Sequence, residues 1–211
     1  MLALLDPRHG RTLLFALEWA PMKPPFPLDP LLKPYEGRRP AIVRSYHAMY
    51  TLAGELAQPQ QARQLLPAAE LPELAARLPG AEQIMLGVCT LGSALDERVK
   101  QLFDPDPVAA VILDEIGTVW VKLLARQMHE DARASARSAG LQASPSYRPG
   151  IGRWPLSLHQ LIFAHLDAGA LGLRLLGDSV LPQKSITMIV ALGGALGRSA
   201  YAREQDGPER A

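Results

Sequence analysis

Arg148-Pro-Gly-Ile-Gly-Arg-Trp-Pro155, running straight into Leu156-Ser-Leu-His-Gln-Leu-Ile-Phe-Ala-His-Leu166, is the passage on which the reading of this chain turns. Glycines at 150 and 152 free the backbone for positive φ and for close approach by a ligand, while Pro149 and Pro155 fix φ on either side. A rigid loop therefore feeds an amphipathic helix. Ser157-x-x-Gln160 has the form of a capping box, and Leu156 is placed to staple onto Leu161. Downstream, a strand is expected over Leu171–Leu176. Leu181-Pro-Gln-Lys-Ser-Ile-Thr-Met-Ile-Val190 then turns and enters another, Ser185–Leu192, with Ile186, Met188, Val190 and Leu192 on one face while Ser185 and Thr187 open the other.

Upstream of the loop the chain is rich in helix signals. Asp106-Pro107 gives an N-cap and a first-turn proline. The apolar positions Val108, Val111, Ile112, Ile116, Val119, Trp120, Leu123, Leu124 and Met128 follow at helical spacing, so one broad face is expected to be buried. Gly117 interrupts this long helix at a cost of about 1 kcal/mol relative to Ala, which suggests another backbone packed close to it. Gly140 is the natural stop, and residues 141–155 read as loop. Ser93, with Asp96 and Glu97 behind it, starts a shorter helix. Gln83–Thr90 reads as a strand, Leu71–Leu78 as a short helix, and Ala41–Leu56 as a helix carrying Ile42, Tyr46, Met49, Tyr50 and Ala53 on one side. Arg11–Ala20 is either a strand or a short helix. Pro21–Pro40 holds seven prolines, which excludes regular structure and leaves an extended strap or a poorly ordered arm. The organisation is thus a Pro-rich segment over 1–40, a body over 41–197 and a polar, frayed tail over 198–211. Helices mixed with antiparallel strands, without βαβ alternation, argue an α+β domain.

The loop and the Pro-x-Lys-Ser segment together resemble the activation domain of cobalamin-dependent methionine synthase, in the form found as short stand-alone bacterial proteins. That family carries a Pro-Gly-Tyr-Gly-x-Trp-Pro loop, a helix, and then Pro-x-Lys-Ser-Val-Ser-Gly. Val88-Cys-Thr-Leu-Gly-Ser-Ala-Leu-Asp-Glu97 is similar to its strand-to-helix passage, and Ile112-Leu-Asp-Glu-Ile-Gly117 to its long helix. The four segments fall in the family's order across residues 84–193. The resemblance implies a twisted, mostly antiparallel sheet with flanking helices. It implies a domain that presents S-adenosylmethionine to the cobalt of a cobalamin carried by a corrinoid-binding or methyltransferase partner.

Carried over residue by residue, the resemblance puts the ligand at Arg148, Pro149, Gly150, Ile151, Gly152 and Trp154 of the loop, at Asp178 and Ser179, and at Lys184 and Ser185. Several polar positions differ from the family. Ile151 stands where the family has tyrosine, the family's loop arginine falls at Ser146, and Lys122 takes the place of a helix glutamate. An arginine does occur at 148, two positions on, and is available as a shifted substitute. Asp178-Ser179 is the displaced counterpart of the family's Glu-Ser pair, and Met188 replaces a glycine. Residues that shape the backbone are kept while contacts to the ligand are lost, which implies weak binding of S-adenosylmethionine. Trp154 either stacks on a ligand or anchors the loop in the core. Lys122 has a plainer use in pairing with Asp114 or Glu115.

Composition narrows the other classes. With 48% hydrophobic residues in 211, the chain is long enough to bury a sizeable core. A net charge of +1 supplies no basic stripe for nucleic acid, and Arg38-Arg39 reads as a solvated pair. Asp6, Arg8 and Arg11 break any signal-peptide core, and no apolar run reaches membrane-spanning length. Cys89, the single cysteine, reads as a small packed thiol in a reducing cytoplasm. His159 and His165 do not share a helix face, so no metal pair is expected, and His129-Glu-Asp131 reads as a solvated helix end. Gly193-Gly-x-x-Gly197 lacks the helix a phosphate loop requires. No Ser/His/Asp arrangement has supporting context, so no catalytic residue is assigned. Two functions remain: an accessory to corrinoid-dependent methyl transfer, and a non-enzymatic binding module for another small ligand or a protein partner.

Overall fold

The computed structural model describes residues 13–15, 28–35, 37 and 39–196. Its centre is a five-stranded antiparallel sheet in the order β1-β2-β3-β7-β4. The strands are β1 (Leu13–Phe15), β2 (Gln60–Pro67), β3 (Gln83–Thr90), β7 (Ser185–Gly193) and β4 (Gln142–Ala143). A separate hairpin, β5 (Arg174–Leu176) with β6 (Ser179–Leu181), turns at Gly177-Asp178. Helices α1 (Asp29–Leu32), α2 (Pro40–Leu56), α3 (Pro72–Arg77), α4 (Ala94–Leu102), α5 (Pro107–Ser138) and α6 (Leu158–His165) cover the sheet. The α+β class with a mostly antiparallel sheet and flanking helices is therefore correct.

Both faces of the sheet are buried, and strand alternation explains the partition. Met85 and Cys89 of β3, with Met188, Val190 and Leu192 of β7, point to the layer of α2, α4 and α5. Ile84, Leu86, Val88, Ile189 and Ala191 point the other way, under α3 and α6. Helix α5 crosses so close at Gly87 that a Cβ there would lie 3.1 Å from Met128 Cε.

Helix α5 starts and stops as its residues dictate. Ala109 N–H donates to the Asp106 carboxylate at 3.0 Å. At the far end Gly140, with φ +73°, lets Leu141 N–H reach back to Ala136 O. Its buried stripe is rotated from the expected one: Val108 and Val111 are exposed, while Ala109, Ala110, Leu113 and Val121 are inside. Small alanines near the start let neighbouring elements come close, and hydrophobicity alone does not rank them above valine.

Other expectations give way. The Pro-rich segment contains regular structure after all, the single turn of α1, which delivers Leu28 and Leu32 to the core. Leu13–Phe15 settles as a strand within the ambiguous 11–20 stretch. The other residues of 1–27 and the tail from 197 lie outside the described residues. Strand β2 was not anticipated: Gln-Gln-Ala-Arg-Gln-Leu-Leu-Pro has neither β-branched nor aromatic residues, yet it pairs along its whole length with β3. Residues 141–155 are not all loop, since β4 and a Tyr147–Ile189 bridge zip their first half onto β7. The stretch 171–176 divides into the end of a 3-10 turn and the shorter β5.

Two local devices are corrected as well. Ser157 sits in helical backbone geometry and makes no capping bond, and Gln160 instead donates to Asp178 Oδ1 at 3.0 Å. Leu156 is 48% exposed and lies against Gly150. The Gly193-Gly194 pair has a structural cause: a Cβ on Gly193 would come within 2.2 Å of Gly80 O, and Gly194 N–H donates to Glu82 at 2.7 Å.

Candidate functional site

The loop of residues 147–156 is held from both ends. Tyr147 exchanges two backbone hydrogen bonds with Ile189, fixing the entry along the edge of β7. Within the loop, Gly150 N–H donates to Trp154 O at 2.6 Å, Ile151 N–H to Arg148 O at 3.1 Å and Trp154 N–H to Ile151 O at 3.2 Å. Gly150 and Gly152 both have positive φ, +84° and +59°, as the sequence requires. Trp154 is fully buried and stacks on Tyr147, ring centres 4.6 Å apart and planes 24° from parallel. Of the two readings left open for Trp154, the core anchor is the one observed. Pro149 is buried beside it, whereas Gly150, Ile151 and Gly152 are exposed.

Arg148 leaves the inner edge of this loop. It is half-buried, and among the described residues no carboxylate pairs with it. Its charge is felt at Cys89 on β3. Burial pushes that thiol up to about 12, and the Ile186 amide and the Arg148 guanidinium oppose the rise without reversing it. Cys89 is an inert packing group, as expected.

Lys184, at the mouth of β7, is buried to 5% exposure by α5. Its ammonium donates to Asp114 Oδ1 at 2.6 Å and to Thr118 Oγ1 at 3.1 Å. Its aliphatic stem lies on Gly117, where a Cβ would sit 3.0 Å from Lys184 Cε. What packs against the helix glycine is thus a lysine side chain and not a backbone. The neighbouring Ser185 hydroxyl donates to Thr90 Oγ1 at 2.8 Å, closing the end of β3 against β7.

These contacts also correct the charge pairings. Asp114 belongs to Lys184. Glu115 accepts from the Tyr46 hydroxyl, which burial and that carboxylate hold well above the usual phenol range. Lys122 pairs with neither and points outward. His129 is no solvated helix end, because its Nε2 is 2.9 Å from Ser144 O and ties α5 to the strand before the loop.

Asp178 and Ser179 sit at the β5–β6 turn. The Asp178 carbonyl lies 2.6 Å from His159 Nδ1, and its carboxylate takes the Gln160 amide, so this turn is tied to α6. It makes no hydrogen bond to the Arg148 loop or to Lys184. Of the ten proposed positions, the structure gathers Arg148, Pro149, Gly150, Ile151, Gly152 and Trp154 into one loop, sets Lys184 and Ser185 at the entry to the strand that loop borders, and ties Asp178 and Ser179 elsewhere.

Two crevices lie apart from this loop. One of about 430 Å³ opens between α4 and α5, and an adjoining one of about 170 Å³ lies toward the hairpin; both are bordered by Asp96, Lys100 and Gln183. None of residues 148–154 lines either. Asp96, in the first turn of α4, does more than face the helix dipole: its Oδ2 accepts Gln183 N–H, and burial raises its pKa against that bond and the Lys184 charge. Among the described residues there is no cluster of metal-ligating side chains and no helix long and apolar enough to cross a membrane.

No protein-family model matches the chain, and no curated protein matches it. Among solved structures, a crystal structure titled as the MetH reactivation domain bound to AdoHcy is similar, with a TM-score of 0.57 and 14% sequence identity over 77% of this chain and 68% of that chain. At that identity the likeness is one of fold.

Proposed function

We propose that this chain is an accessory to corrinoid-dependent methyl transfer, holding S-adenosylmethionine weakly along the Arg148–Pro155 loop and offering it to the cobalamin of a partner protein in the cytoplasm. The observation that carries the reading is Arg148. A half-buried guanidinium without a carboxylate partner among the described residues, on a loop locked by Trp154 and Tyr147, suits the carboxylate of an amino-acid-derived ligand. The similar fold of the MetH reactivation domain bound to AdoHcy supports the same ligand class.

The residues fit one end of that ligand better than the rest. Arg148 would take the carboxylate and the exposed backbone at Gly150–Gly152 would border the chain of the amino acid. Ile151 supplies only apolar contact where the resembled family has a phenol. The methyl donor supplies the activated carbon; this protein's part is to bind, orient and exclude water. Losing two or three polar contacts of roughly 1.5–3 kcal/mol each weakens binding by several powers of ten.

Calorimetric titration with S-adenosylmethionine and S-adenosylhomocysteine is the direct test, with Arg148→Ala as the control. Weak saturable binding that disappears in the variant is the expected result. The absence of any heat with the wild type refutes the ligand, and failure to recover a corrinoid or methyltransferase protein on the tagged chain refutes the partner. A second reading rests on Ile151 and Leu156, which are 46% and 48% exposed on this one loop. Two large apolar side chains facing water suit a non-enzymatic module that docks a protein. Ile151→Ser separates the two, since it removes the apolar docking contact without adding a charge beside Arg148.

A further inference from the structure

The crevice between α4 and α5 has a composition of its own. Val99, Phe103, Ala110 and Val111 form its apolar side. Phe103 and Val111 are each 59% exposed, so the wall presents hydrocarbon directly to water. Asp96, Lys100, Asp114 and Gln183 form the polar side. The volume of about 430 Å³ falls at the lower end of the range for small-molecule sites. An aromatic and a valine left this open at the mouth of a concave site are what a ligand with a hydrocarbon part would cover.

The polar groups decide the ligand's charge. Lys100 is exposed, borders both crevices, and has no ion-pair partner among the described residues. Asp114 gives Oδ1 to Lys184 yet stays 45% exposed, leaving acceptor capacity toward the crevice. Asp96 adds a second carboxylate whose Oδ1 has no hydrogen-bond partner. Around the joined crevices Asp96, Glu97 and Asp114 are balanced by Lys100, Arg174 and the Lys184 bonded to Asp114, three against three. A plain cation would be repelled by Lys100, and a plain anion by the carboxylates. A molecule carrying both charges on adjacent atoms satisfies the two walls together.

We infer that this crevice binds a small zwitterion with an apolar side chain, an apolar α-amino acid being the simplest case. Its carboxylate meets Lys100, its ammonium lies toward Asp114 under the field of Asp96, and its side chain covers Phe103 and Val111. The backbone turn at Pro182-Gln183, pinned by Gln183 N–H to Asp96, closes the end of the site and leaves the Gln183 amide to donate or accept. This site is separate from the Arg148 loop and stands whether or not that loop binds S-adenosylmethionine.

The test is titration of the full chain with L-leucine, with 4-methylpentanoate, which lacks the ammonium, and with isoamylamine, which lacks the carboxylate. Nuclear magnetic resonance shifts at Ala110 and Val111 report the place. Leucine is expected to bind and both analogues to bind roughly tenfold more weakly or worse, the value of one charge-assisted bond. In Lys100→Ala, leucine should fall to the level of isoamylamine, because the carboxylate has lost its partner. Phe103→Ala should weaken all three ligands alike. Lys100 and Phe103 are both exposed, so neither variant threatens the fold. Absence of saturable binding by leucine, equal binding by isoamylamine, or leucine affinity unchanged in both variants overturns the inference.

Discussion

Substituting Gly150 by alanine separates two explanations for the most distinctive residue of the loop. One is that a side chain there would block a ligand; the other is that the backbone itself demands glycine. Gly150 has φ +84°, and a Cβ built on it would lie 2.7 Å from Leu156 Cδ2. The contact is with the far end of a flexible side chain that is 48% exposed and has room to swing outward. The backbone term is not so easily relieved. An L-residue in the left-handed region costs roughly 1–2 kcal/mol, and the Gly150 N–H bond to Trp154 O holds the turn in place.

Gly150→Ala should therefore destabilise the chain by about 1–2 kcal/mol, lowering the melting temperature by about 2–8 °C for a domain of this size. Thermal unfolding followed by circular dichroism measures it, with helix content at 20 °C unchanged. The decisive control is Leu156→Ala in the same background. If backbone conformation dominates, removing the leucine tip restores little of the loss. Full recovery in the double variant, or no loss in the single one, would refute the argument and return the glycine to a role in admitting a ligand.

Three further outcomes follow from buried groups. Cys89, with its pKa pushed up to about 12 by burial, should resist a thiol-specific disulfide reagent in the folded chain and react only at the rate of unfolding; prompt stoichiometric reaction at neutral pH contradicts the packing. Lys184→Met keeps the stem on Gly117 and removes the ammonium from Asp114 and Thr118, both of which are partly exposed and can hydrate, so urea denaturation should show a loss below about 1 kcal/mol. Lys184→Ala also empties the space beside Gly117 and should cost about 2 kcal/mol or more; equal losses in the two variants would mean that the ion pair, not the stem, matters. Asp96 has a raised folded pKa, so its contribution is most favourable when it is protonated and declines as pH rises above the ordinary 3.8. Asp96→Asn, which keeps an acceptor for Gln183 N–H, should accordingly flatten the fall in wild-type stability over the pH range just above 3.8, and a parallel pair of stability curves would contradict it.

Much of the fold was legible where local chemistry and burial agree. Asp106-Pro107 and Gly140 mark helix ends correctly, because capping is a matter of one or two residues and their immediate backbone, whereas Ser93 stands at the start of α4 in helical geometry and makes no side-chain cap bond. β3 is bounded as expected, since the continuous non-polar run Ile84-Met-Leu-Gly-Val-Cys89 suits a strand buried on both faces. Strand β2 was illegible for the opposite reason. Its glutamines and arginine carry no strand propensity, and pairing to β3 imposes the extended backbone from outside the segment. The capping box at Ser157 failed because Asp178, eighteen residues after Gln160, competes for its amide. A spacing motif records what a side chain can reach locally, not what a distant turn will offer it.

The candidate site divides along the same line, and the division bears on function. Pro149, Gly150, Gly152, Trp154 and Pro155 are determined by backbone conformation and by the Tyr147 stack, so they need no ligand to account for them. Lys184 likewise has a structural use in bridging β7 to α5 through Asp114 and Thr118. A resemblance built on these residues is therefore evidence for the shape of the loop and the entry to the strand. Evidence for a ligand has to come from groups the fold leaves unspent. Near the loop that group is Arg148, whose charge touches no carboxylate among the described residues. In the α4–α5 crevice the groups are Lys100, the free face of Asp114 and the uncovered ring of Phe103. The two sites make opposite demands on an Arg148→Ala variant. It should abolish whatever the loop holds and leave the crevice untouched, which makes that single change the sharpest division between the two.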